Sequence, residues 1–159
     1  MVDNQDGSRV EALLSQLSLK EKVGQLIQYF YFQLPEQPAE DGAIQFDASA
    51  QPRGVEAAMA EGGVSSLLFV TKPGVINRLQ RLAIEGSSHG IPAIFGFDVI
   101  HGLRTILPVP IALAASWSPE TISAGQSVAA REARAAGIHW TFAPMVDIAR
   151  DPRWGRIVE

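Results

Sequence analysis

Thr141-Phe-Ala-Pro-Met-Val-Asp-Ile-Ala-Arg-Asp-Pro-Arg-Trp-Gly-Arg156 joins an apolar segment to a crowded charged loop, and the fold class turns on that join. The apolar run, residues 138–146, reads as a buried strand. It empties into a loop that carries Asp147, Arg150, Asp151, Arg153, Trp154 and Arg156. Working outward toward the N-terminus, the same alternation recurs. Residues 64–70 and 92–97 are further apolar strands, and residues 73–88 form a helix with Val75, Ile76, Leu79, Leu82 and Ala83 on one side. Ser118-Pro-Glu120 opens another helix, with Ser as N-cap and Pro in the first position, running to Gly137. Strands that are apolar throughout and separated by helices predict a parallel sheet covered on both faces.

Two architectures share that pattern, an open doubly wound sheet and a (β/α)8 barrel. No Gly-x-Gly-x-x-Gly spacing occurs at residues 96–102, which argues against a nucleotide site. A closed barrel takes roughly 250 residues, so 159 residues hold about half of one. The reading is therefore α/β, an incomplete (β/α)8 TIM-type barrel, N-terminal half only. It forms a single partial domain over residues 1–159 whose open parallel edge marks a piece of something larger. At the N-terminus, residues 1–8 read as a loose tail. Ser18 to Glu21 matches a capping box that starts an amphipathic helix, and residues 29–32 are an aromatic, strand-like patch. Residues 33–53 read as an irregular loop, and residues 55–61 as a short helix that ends before Gly62-Gly63.

Composition narrows the function. The chain is 47% hydrophobic with 13 basic and 17 acidic residues, a net charge of −4. That balance gives no electrostatic reason for a nucleic acid or an anionic membrane as partner. No cysteine is present, which removes disulfides, thiol catalysis and thiolate metal sites. No apolar run approaches the ~20 residues that span a bilayer, so membrane insertion is not expected. The polar start lacks a basic, apolar leader. It reads as cytoplasmic if residue 1 is the natural start, and as periplasmic or secreted if a leader was removed. Oligomeric state is not legible.

Candidate chemistry gathers at strand ends, where parallel α/β folds bind ligands. Asp98 follows the strand 92–97, with His101 and Arg104 in the same loop. Asp147, Asp151, Arg153, Trp154 and Arg156 follow the strand 138–146. Carboxylate acceptors, guanidinium forks and an aromatic face suit a neutral, hydroxyl-rich ligand such as a sugar. Some of the charges must pair among themselves, with Asp151 and Arg153 the first candidates. Asp98 equally suits a loop cap or a partner for Arg104. His89, His101 and His139 have no ligand-like spacing, so a metal is not expected. Taken alone, Asp98 and Asp147 as two strand-end carboxylates suggest glycoside hydrolysis. A Schiff-base aldolase using Lys72, just past the strand 64–70, is the enzymatic rival. A noncatalytic sugar-binding module is the other.

Pro92-Ala-Ile-Phe-Gly-Phe-Asp-Val-Ile-His-Gly-Leu-Arg-Thr105, with Ala143-Pro-Met-Val-Asp-Ile-Ala-Arg-Asp-Pro-Arg-Trp-Gly-Arg156, resembles the N-terminal barrel of family 3 glycoside hydrolases. Leu17-Ser-Leu-Lys-Glu-Lys-Val-Gly-Gln25 is similar to that domain's start, and the bacterial periplasmic β-glucosidase branch is the most similar. The resemblance implies hydrolysis of β-glucosides with retained configuration, with β-xylosides as the alternative substrate. It implies that Asp98 and Arg156 hold the glucose and that Asp147 braces the loop rather than reacting, and the chemistry it implies needs no metal or organic cofactor; by position, His101, Arg104, Asp147, Asp151, Arg153 and Trp154 are candidates for a supporting shell. It also implies that the nucleophile and the acid/base lie downstream, so no catalytic residue falls within this chain and the 159 residues alone are inactive. The expected partner is a β-glucoside or oligosaccharide.

Overall fold

A computed structural model describes residues 4–32 and 49–158. The segment 33–48, which covers most of the expected irregular loop, lies outside the described residues, as do residues 1–3 and 159. In chain order the elements are α1 (Asn4–Gln16), α2 (Leu19–Gly24), β1 (Gln28–Phe30), α3 (Ala50–Ala60), β2 (Ser66–Leu68), α4 (Pro73–Gly86), β3 (Ile94–Phe97), α5 (Pro110–Ala114), α6 (Pro119–Ala136) and β4 (Trp140–Thr141). The strands form one parallel sheet in the order β1-β2-β3-β4, each strand beside the next in sequence. Helical crossovers between sequential parallel neighbours are the unit from which a (β/α)8 barrel is wound.

Local chemistry sets the element ends. Ser18 accepts a hydrogen bond from the Glu21 amide while the Glu21 carboxylate accepts from the Ser18 amide, the reciprocal cap that starts α2. The Ser118 hydroxyl accepts from the Thr121 amide at the start of α6, and Gly137 ends that helix in the left-handed region at φ 93°. Gly24 answers a tertiary demand: a Cβ there would stand 2.3 Å from the carbonyl oxygen of Gly62.

Side chains alternate across the sheet with period two. Leu67 and Phe95 point to one face, where α3 and α4 cover them. They pack with Val55 and Met59 of α3, with Ile76, Leu79 and Ala83 of α4, and with Tyr31. A second cluster of Val99, Ala133, Ala136 and Ile138 seats α6, with Phe97 and Leu103 against it. The opposite face carries the row Phe30–Leu68–Gly96–Trp140, aligned by register across all four strands. Phe30 and Trp140 in that row are 50% and 47% exposed.

Several expectations are corrected. The sheet is covered by helices on one face only among the described residues, because the other face is the one a closed barrel fills with its own strand side chains. The tail expected over residues 1–8 is helical from Asn4 onward, as the first turns of α1. The strand expected over 138–146 pairs only at Trp140 and Thr141, and Val146 is 85% exposed. Pro144 has no amide proton to give a ladder, and β4 has one neighbour among the described residues. Helix α3 begins at Ala50, earlier than expected, with Pro52 in its first turn.

Candidate functional site

The loop after β3 fixes Asp98 by its own backbone. The Ile100 amide donates to Asp98 Oδ1 at 3.0 Å, which holds the carboxylate at the carboxyl end of the strand. Oδ2 is then 3.7 Å from Nη2 of Arg156, an approach that joins the β3 loop to the loop after β4. Both side chains remain partly open, 40% for Asp98 and 51% for Arg156. Both residues line a cavity of about 230 Å³. Leu68 and Gly96 contribute from the strands, while Phe69, Phe97, Phe142 and Met145 contribute from the strand ends and the segments just past them. Among the described residues, Asp98 and Arg156 are the only charged groups lining it. Sites that bury drug-sized ligands run roughly 300–1,000 Å³, so this volume fits one small ring.

Downstream of Asp98 the chain turns back on itself. Gly102, at φ 104°, sits where a Cβ would meet the Thr105 carbonyl oxygen at 2.0 Å. Leu107 donates its amide to the His101 carbonyl at 2.7 Å. Glu132 of α6 accepts from the amides of Arg104 (2.8 Å) and Thr105 (2.9 Å) and from the Thr105 hydroxyl (2.6 Å). The Thr105 hydroxyl and those two amides hold the Glu132 carboxyl below its ordinary range. Arg104 thus touches Glu132 through its backbone, and it makes no ion pair with Asp98 among the described residues. Nδ1 of His101 is buried with no partner among the described residues.

In the loop after β4, Arg153 closes on Asp151. Its Nε donates to both carboxylate oxygens (2.9 and 3.2 Å) and its amide donates to Oδ1 (2.9 Å). The guanidinium holds the Asp151 carboxyl below its usual value. Trp154 donates its amide to the Asp151 carbonyl at 3.1 Å; its side chain is partly exposed and does not line the cavity. The Ile111 amide donates to the Val158 carbonyl at 3.1 Å, tying the loop's far end to α5. Asp147 is exposed, lies off the cavity and takes part in none of the loop's hydrogen bonds among the described residues. The bracing comes from Asp151 instead. Lys72 is an exposed residue at the N-cap of α4, also off the cavity.

Sequence reasoning nominated the charges and missed the apolar walls. Phe69 holds φ 68° and meets Phe97 edge-on at 5.6 Å. The available signal was position: each wall residue outside the strands follows the carboxyl end of one. Among the described residues no group of three or more His, Asp or Glu is placed to hold a metal, and no helix is long and apolar enough to cross a membrane.

The family model for the glycosyl hydrolase family 3 N-terminal domain matches residues 18–159. The periplasmic β-glucosidase of Salmonella typhimurium is 32% identical over 150 residues, covering 94% of this chain and 18% of that protein. A putative β-xylosidase of Formosa agariphila is 31% identical over 156 residues, covering 95% and 20%. Among solved structures, the β-glucosidase of Listeria innocua in complex with glucose superposes with a TM-score of 0.75 at 33% identity, covering 96% of this chain and 21% of that one. The chain spans about a fifth of the length of these relatives. Its parallel sheet, sequential strand order and matched span agree: the chain belongs to glycosyl hydrolase family 3, as part of that family's TIM-type N-terminal domain.

Proposed function

We propose that the protein is a β-glucosidase that removes terminal non-reducing β-D-glucosyl residues with retention of configuration, and that this chain supplies part of its glucose subsite. The observation that carries the reading is the pairing of Asp98 with Arg156, 3.7 Å apart, on the lining of a ring-sized cavity at the carboxyl ends of parallel strands. An ionised carboxylate accepts from two sugar hydroxyls while a guanidinium donates to their neighbours. Together they fix the ring beside the reacting groups and turn binding energy into orientation. Retaining hydrolysis needs two carboxyl groups about 5–5.5 Å apart flanking the bond. Asp98 is the one carboxylate on this cavity among the described residues, so the nucleophile and the acid/base come from outside them. Asp98 is then a substrate holder. The chemistry calls for no metal or organic cofactor. The name of the Salmonella relative supports export from the cytoplasm.

β-Xylosidase activity is the second reading, favoured by the Formosa relative at 31% identity. Steady-state release of p-nitrophenol from the aryl β-D-glucoside and β-D-xyloside by the full natural chain separates the two. A larger kcat/KM on the glucoside, with the β-anomer of glucose appearing first by NMR, is expected. Preference for the xyloside selects the second reading, and release from neither ends both.

A further inference from the structure

The loop after β3, which carries Asp98, is held on α6 in three ways. The Gln126 side chain donates to the Ile100 carbonyl at 3.2 Å, in the same residue whose amide aims Asp98. Val99 and Leu103 pack on Ala133 and Ala136. Further along, the loop doubles back through an antiparallel bridge between Gly102 and Ile106. Glu132 grips the turn inside that bridge. One of its oxygens accepts from the amides of Arg104 and Thr105, and the other accepts from the Thr105 hydroxyl. Helix α6 is also the crossover into β4, and Arg156 lies in the loop that follows β4. The helix that holds the Asp98 loop is therefore the one that delivers the chain to Arg156.

We propose that Glu132 is a positioning residue for the glucose subsite: it acts through the backbone of the β3 loop to keep Asp98 at its setting beside Arg156. The inference rests on the β-glucosidase reading and names a further residue of that site. Hydrogen bonds to an ionised carboxylate are stronger than neutral ones, so three on one side chain fix the turn firmly. Releasing the turn lets the Ile100 amide shift, and Asp98 shifts with it. A misplacement of about 1 Å in a group that orients substrate costs up to about 100-fold.

The test reads the inhibition constant of glucono-1,5-lactone, a flattened analogue of the glucosyl ring, against aryl β-D-glucoside hydrolysis by the full natural chain and its variants. That constant does not depend on how much of a variant is folded, so a loss of stability alone leaves it unmoved. Glu132→Ala is expected to raise it about tenfold. Glu132→Gln keeps an oxygen for the two amides and an NH2 group to donate to the Thr105 hydroxyl. It is expected to bring the constant back within about twofold of the natural value. In an Asp98→Ala background, Glu132→Ala is expected to add less than about twofold, because the side chain it positions is gone. Should Glu132→Ala fail to fold, Thr105→Val cuts the hydroxyl contact alone and is expected to raise the constant about threefold. An unmoved constant, a Gln variant no better than the Ala variant, or an equal rise with Asp98 absent overturns the positioning role while the glucose site stands. A natural chain that hydrolyses no aryl glucoside sinks the β-glucosidase reading and this inference with it.

Discussion

Asp98 shows how little is needed to aim a carboxylate. One oxygen is spent on the Ile100 amide, and the other faces Arg156 and the cavity. Replacing Asp98 by Ala removes a charged hydrogen-bond partner of the proposed sugar. It is expected to lower kcat/KM on an aryl glucoside by about 2–4 kcal/mol, roughly 30- to 1,000-fold. Full activity in that variant would remove Asp98 from the site. Tyr31, Glu56 and Arg78 form a second polar cluster, on the helix side of β1. Arg78 donates two hydrogen bonds of 2.8 Å to Glu56 and one of 2.9 Å to the Tyr31 hydroxyl. Arg78 holds the Glu56 carboxyl below its ordinary range, and burial raises the Tyr31 hydroxyl. A depressed carboxylate stabilises the fold above its unfolded pKa and loses that contribution as pH falls through the folded value. Arg78→Met is therefore expected to cost about 1–2 kcal/mol near neutrality, the partial exposure of the pair limiting the loss. It is also expected to flatten the decline of stability below about pH 4.5. Urea titrations across that range check both, and an unchanged acid slope would break the link to Glu56. Asp98 was legible because it stands alone after an apolar strand, whereas Arg156 was singled out from its charged loop only by the family resemblance. Phe69 was not, because its part depends on rings from β1 and from the end of β3 that only the sheet brings to it.

Helix ends were the most legible elements, since a cap is a contact between residues a few positions apart. The Ser18–Glu21 box and the Ser118 cap both follow from local spacing. Glycines separate local from tertiary demands. Gly54 lies inside α3, where an added methyl would meet nothing within 4 Å, whereas Gly24 ends α2 against the Gly62 carbonyl. Gly54→Ala is expected to stabilise by about 0.5–1 kcal/mol. Gly24→Ala is expected to destabilise by about 1–3 kcal/mol through displaced backbone. Thermal melts of the two variants should move in opposite directions, and a shared direction would contradict the packing at Gly62. Strand lengths were less legible. The apolar runs 64–70, 92–97 and 138–146 contain pairing segments of three, four and two residues. An apolar run marks where a strand can lie, while pairing also needs a neighbour and free amides.

Across the whole molecule, one sheet face is packed under α3 and α4 and the other is lined by half-exposed Phe30 and Trp140. An open apolar face of this kind binds hydrophobic dyes and self-associates. The 159 residues by themselves are expected to enhance 1-anilinonaphthalene-8-sulfonate fluorescence and to release no p-nitrophenol from an aryl glucoside. Turnover by these residues alone would return Asp98 and Asp147 to candidacy as a catalytic pair. The sequence by itself determined the parallel α/β class, the helix caps and the loops where charge collects. Those features follow from periodicity and from contacts only a few residues apart. Tertiary structure alone decided that Asp98 reaches Arg156, that Asp147 stays outside, and that Phe69 on the cavity wall stacks against Phe30. These depend on strand register and order, which bring together groups far apart in the chain, and no local pattern encodes such a meeting.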